Sequence, residues 1–223
     1  MIQKQMFLIF AALLICSCGS KTAGPGDDFT ENYKNGKLYK DCKALQQIDS
    51  GRFLYHCTTF YESGIKRTEG DYINGVTPIG WLSYYRFKGS LKKREEWWRK
   101  DKTHIALNQV ISYDKDGNIE KKESNYYIIR NLDSALTDKP ARVEFTLAAP
   151  YYPKSRIALF VKSNVDTVEQ VYTQSEYSIV KTFEKPANGK LRVYGHLMEL
   201  MEMDRKGDTT RMQQRVLFFD KEF

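Results

Sequence analysis

Proline is scarce, with six residues in 223, and the 14 glycines follow no three-residue period, which excludes a collagen-like rod. Four cysteines are too few for a disulfide scaffold at this length. Histidine is scarcer still, and His56, His104 and His196 are scattered. A zinc site needs about four closely spaced ligands, so no metal is expected. There is no Gly-x-Ser-x-Gly elbow, no His-Glu-x-x-His pair and no Gly-Lys-Ser/Thr phosphate loop. Without a nucleophile beside a base, the chain reads as a non-enzyme, and no cofactor is implied. The longest apolar run, Met6–Cys16, falls short of the ~20 residues a membrane-spanning helix requires. Hydrophobic residues at 41% against 28% charged still make a core, which rules out full disorder. A chain of this length buries roughly 70% of its unfolded surface without help from a metal or a disulfide.

What the chain has in quantity is aromatic residues, 15 Tyr and 12 Phe, a composition that favours strands. At the N-terminus one lysine, Lys4, precedes the apolar run, as in a secretory signal. The run ends in Ile15-Cys16-Ser17-Cys18-Gly19. This resembles the lipobox of bacterial lipoproteins of the Bacteroidetes type. The resemblance implies a signal peptide at 1–17 and lipidation of Cys18, with palmitate-type acyl chains in the membrane and an outer-membrane location, on the periplasmic or the surface face. Several acyl chains give stable anchoring where one is marginal. Residues 18–28, small and polar, read as a flexible tether.

Two cysteines remain in the mature chain. Cys42 and Cys57 are a possible disulfide in an oxidising compartment. The other reading is two separate buried thiols, since Tyr55–Thr59 looks like a strand and Cys57 can simply face a core. The densest basic cluster is Lys92, Lys93, Arg94, Arg99, Lys100 and Lys102, with Trp97 and Trp98 between. It reads first as a solvated strand face and second as a contact for phospholipid or anionic glycan. Outside the cytoplasm it does not read as a nucleic-acid site.

Between residues 51 and 98, short period-two runs are punctuated by Gly64, Gly70, Gly75, Gly80 and Gly89. Asn74-Gly75 is a hairpin signal, and Glu62-Ser63-Gly64 and Lys88-Gly89 mark further turns. Tyr61, Gly64, Glu69, Gly70, Tyr72, Asn74, Gly75, Gly80, Trp81 and Tyr84 or Tyr85 together resemble the MORN repeat. A worn copy runs through Tyr113, Asp116, Gly117, Ile119 and Glu120, and a trace through Tyr33, Asn35, Gly36 and Leu38. The resemblance implies a MORN-like antiparallel hairpin domain over 29–130. One hairpin cannot bury its own apolar face, so successive hairpins must join in one twisted sheet.

The polar stretch 131–140 reads as a joint, with a second antiparallel unit over 131–223. Strands are expected at 141–148, 156–162, 167–173, 177–183, 190–203 and 211–219, forming a small sandwich or a curled sheet. The fold class is therefore all-β. The surface residues singled out for binding are Tyr84, Tyr85, Trp97 and Trp98. The leading functional reading is a non-catalytic, lipid-anchored envelope protein that binds a protein or a glycan, with no oligomeric state implied. One alternative is a glycan hydrolase using paired carboxylates, for instance Glu144 with Glu199. The other is a structural accessory of an envelope complex.

Overall fold

The computed structural model describes residues 24–101, 104–133, 140–152, 155–166, 170–174, 177–184, 186, 190–206 and 209–223. Cys16, Cys18 and Lys102 lie outside the described residues. The described fold is all-β, built of antiparallel sheets apart from one 3-10 turn at Lys121–Glu123.

The first sheet is a meander of seven strands in sequence order: β1 (Phe29–Asn32), β2 (Leu38–Asp49), β3 (Arg52–Phe60), β4 (Lys66–Ile73), β5 (Thr77–Tyr85), β6 (Leu91–Arg99) and β7 (Ile105–Ser112). Asn74 and Gly75 both have positive φ, 51° and 68°, and the Val76 amide donates to the Ile73 carbonyl. They form the two-residue hairpin turn between β4 and β5 that a right-twisted ribbon needs.

At the other end of the strands one turn geometry recurs. Five-residue turns begin at Tyr33, Tyr61, Arg86 and Asp114, thus 28, 25 and 28 residues apart. In each, the first residue donates its amide to the carbonyl of the fifth, and the fourth, always Gly, donates to the carbonyl of the first. These glycines have φ between 82° and 89°, which a side chain would resist. The turns are also linked to one another. Tyr33 Oη donates to the Phe60 carbonyl at 2.7 Å and Tyr61 Oη to the Tyr85 carbonyl at 2.9 Å, while the Arg86 guanidinium donates to the Tyr113 carbonyl. Every acceptor is the residue just before the next turn.

The chain enters at the opposite end. Gly24–Asp28, expected as part of the tether, is folded. Asp27 closes a turn on Gly24, the Gly26 amide donates to Tyr55 Oη at 3.0 Å, and Asp28 Oδ1 accepts from the Ala44 amide at 2.8 Å. A Cβ on Gly26 would sit 2.7 Å from the Phe53 ring, and φ is +90° there, so glycine serves both the close docking and the backbone conformation.

The second region holds two sheets. One contains β8 (Tyr126–Asn131), β9 (Ala141–Ala149) and β12 (Ser178–Phe183); the other contains β10 (Arg156–Ser163), β11 (Gln170–Gln174), β13 (Arg192–Lys206) and β14 (Thr209–Glu222). In β9, Val143, Phe145 and Leu147 point inward and Arg142, Glu144 and Thr146 outward, the alternation of a half-buried strand. They join Leu159, Leu197, Leu217 and Phe219 of the other sheet in one apolar core. The run at 190–203, expected as a strand, falls in β13, which pairs with both β10 and β14. Because β8 pairs with β9, the stretch 131–140 joins two neighbouring strands, and the change of sheet falls earlier, between β7 and β8.

The two regions meet at β7. Asn108, which is bulged out of register, gives its side-chain amide to the Phe218 carbonyl at 2.8 Å and takes the Phe218 amide at 2.7 Å. A buried side chain thus replaces a strand neighbour.

Gly75→Val should lose more than about 1 kcal/mol in a denaturant melt, because positive φ resists a β-branched residue and the new Cβ would lie 2.5 Å from the Phe29 ring. A change within about 0.3 kcal/mol would contradict this turn assignment.

Candidate functional site

Directly paired residues of neighbouring strands share a face. In the first sheet, one face therefore carries Cys42, Cys57, Leu82, Tyr84, Glu95 and Trp97, and the other His56, Glu69, Asp71, Trp81, Arg94 and Glu96.

The first face is closed on itself. Cys42 and Cys57 are direct partners on β2 and β3, fully buried, and joined by a disulfide. The strand placement of Cys57 holds, yet the thiols are not separate. Direct neighbours on one face bring their sulfurs together, so a core-facing strand position is no bar to a bond. Phe29, Phe53, Tyr55 and Tyr72 pack around the pair. Tyr84 Oη donates to Glu95 Oε2 at 2.6 Å, Lys93 donates to Glu95 Oε1 at 2.6 Å, and the Lys93 ammonium lies 4.4 Å from the Tyr84 ring centroid. Burial, reinforced by the Glu95 carboxylate, pushes the Tyr84 hydroxyl well above its ordinary value. It is a permanent donor at neutral pH.

The second face is half-exposed. His56 Nδ1 is 2.8 Å from Asp71 Oδ1, and its Nε2 lies 3.8 Å from Glu69 Oε1. Glu69 also takes Lys66 Nζ at 2.7 Å and Tyr85 Oη at 3.0 Å. The Lys66 ammonium holds the Glu69 carboxyl below its usual range, and burial followed by the Glu69 bond raises Tyr85. The Arg94 guanidinium covers Trp81 at 4.6 Å. Charge pairs and ring-stacked cations tile this surface. At its β7 end Glu96 Oε2 receives the Asn108 and Gln109 amides of β7, Asn108 in turn bonds Phe218 of the second region, and Trp98 stacks on Phe218 at 6.2 Å and 12°.

The four aromatic residues singled out from sequence thus divide two and two. Tyr84 and Trp97 share the closed face; Tyr85 and Trp98 lie on the other, and Trp98 is spent on the joint. Glu95 and Glu96 point to opposite faces with separate partners. The basic cluster divides as well, with Lys93 and Arg94 on opposite faces. Of the histidines, His196 stacks on Phe160 at 4.4 Å, and His104 bonds to Asp101 at 2.8 Å within the β6–β7 connection.

Glu144 and Glu199 have separate partners. Glu199, with no exposed surface, accepts the Tyr151 and Tyr152 amides and Ser155 Oγ at 2.8–3.0 Å, while Glu144 accepts from Ser178 Oγ. Glu199 is a clamp on the β9–β10 connection. Among the described residues, no group of three or more His, Cys, Asp and Glu could hold a metal ion, and no helix is long and apolar enough to cross a membrane. Sequence reasoning missed the row of turns as a surface. Its signal was the glycine at the fourth position of each, with lysines beside Gly36 and Gly89. No protein-family model matches the chain, and no curated protein or solved structure matches it either.

Replacing both cysteines with serine should cost about 3 kcal/mol, the loop-closure value for a bridge of this span, read as a lower denaturation midpoint. An unchanged midpoint would contradict the bond. Trp98→Ala should cost about 2 kcal/mol or more through the lost Phe218 contact. A loss no larger than that of an exposed position would place Trp98 outside the joint.

Proposed function

We propose that this chain is a non-catalytic lipoprotein of a bacterial envelope, anchored in the outer membrane through Cys18, whose first sheet binds a partner there. One observation carries the binding half. The second region touches the first sheet at β7 and at Trp98 of β6, and the half-exposed face of β3 to β5 carries His56, Glu69, Asp71 and Trp81 without another layer of the described chain upon it. A sheet that wide with one charged and aromatic face is suited to recognition. The evenly spaced, linked turns support the MORN-like reading of this sheet, and the shared core of the other two sheets supports a small sandwich following it. The Cys42–Cys57 bond fits an oxidising compartment, in keeping with the lipobox-like Ser17-Cys18.

Metabolic labelling with a palmitate analogue should tag the wild type and Cys16→Ala, and lose the tag in Cys18→Ala. Equal labelling of all three would overturn the anchor.

A further inference from the structure

The turns at 33–37, 61–65 and 86–90 form a row along one end of the first sheet, two strands or roughly 9.5 Å apart. Segments 33–38, 61–67 and 86–92 hold seven Lys and Arg against one carboxylate, Glu62. Their formal sum is +6, although Lys66 is paired with Glu69 just beyond the second segment. Lys34, Lys88 and Lys92 have no acidic partner within bridging distance among the described residues. Between them Phe87 is 61% exposed, its ring edge-on to Tyr61 at 5.3 Å, and the Arg67 guanidinium lies 5.9 Å from Tyr61 on the ring's face.

We propose that this row of turns binds an anionic polysaccharide of the cell envelope. Lys34 on the first turn and Lys88 on the third, four strands or roughly 19 Å apart with Arg67 between them, suit a chain of charges rather than one small anion, and the exposed Phe87 ring offers a platform for a sugar. The direction of the fold separates this from a membrane contact. The polypeptide enters at the far end of the strands, where Gly26 is held by Tyr55. The six residue-to-residue steps from Cys18 to Gly24 reach at most about 20 Å. The row of turns accordingly points away from the bilayer that holds Cys18, which is the part of the argument that rests on the lipid-anchored reading.

The test uses the detergent-solubilised full chain on immobilised polygalacturonate, with dextran as the neutral polymer and phosphatidylglycerol vesicles as the lipid. At about 50 mM salt, where surface charges are weakly screened, the wild type should bind polygalacturonate, ignore dextran, and prefer the polymer to the vesicles. The variant Lys34→Gln/Lys88→Gln/Lys92→Gln should lose about tenfold or more. A control with the same loss of charge in the second region, Arg130→Gln/Lys162→Gln/Lys221→Gln, should stay within about twofold. Phe87→Ala should weaken binding with an unchanged thermal melt. Equal losses in the two triple variants would reduce the effect to net charge and overturn the proposal. Preference for the vesicles would make the row a membrane contact, and no binding to polygalacturonate would also overturn it. Because binding is read on protein in detergent, it stands or falls separately from Cys18 labelling.

Discussion

The first sheet depends on a hydrogen bond handed from each turn to the next. A single hairpin is marginal in water because it cannot bury its own apolar face. Here the first side chain of one turn reaches the last carbonyl before the following turn, from Tyr33 to Phe60, from Tyr61 to Tyr85 and from Arg86 to Tyr113. Each bond satisfies a backbone acceptor at a strand end and fixes the spacing of two hairpins. The outcome is a nearest-neighbour stack, in which each unit is stabilised by the one beside it. It also holds the turns in line, so that Lys34 of the first and Lys88 of the third lie along one edge with Arg67 between them.

The two ends of that stack are closed differently. At the start, Gly24–Asp28 folds over Phe53 and Tyr55, and the disulfide ties β2 to β3. At the finish, the Asp114 turn has no further hairpin to support. Instead Ser112 and Val110 bond to Ser124 and Asn125, and the Asn108 amide engages β14. The junction is polar, made of a buried amide and of the Glu96, Gln109 and Tyr127 bonds around it. Such a network specifies a geometry, since a buried amide left without partners costs about 1–3 kcal/mol.

Much of the architecture was legible in the sequence because turns need particular residues. Positive φ at Asn74, Gly75, Gly64 and Gly89 left its mark as glycine or asparagine, and the alternation in β9 marked its inner face. What could not be read were contacts between residue types with no fixed partner. Tyr33 and Tyr61 are alike, but Arg86 and Asp114 occupy the same place in their turns with different chemistry, so the equivalence of all four emerges only from the hydrogen bonds. Gly24–Asp28 has the composition of a linker, and its docking depends on a tyrosine hydroxyl 29 residues away. The disulfide had the same difficulty, since register decides whether two cysteines on strands meet. Of the candidate site, the alternation of Tyr84 with Tyr85 and of Trp97 with Trp98 followed from strand geometry alone. The allotment of Trp98 to the joint required knowing where Phe218 lies.

The hand-over between turns is open to direct measurement by amide hydrogen exchange in Tyr33→Phe, which removes one hydroxyl and keeps the ring against Tyr39. A bond of about 1 kcal/mol corresponds to roughly fivefold in local opening. The Tyr61 and Gly64 amides of the next turn should exchange about fivefold faster, with Gly117 and the core amides of β9 unchanged. Unaltered exchange at Gly64, or equal acceleration throughout the chain, would contradict a stack held together turn by turn.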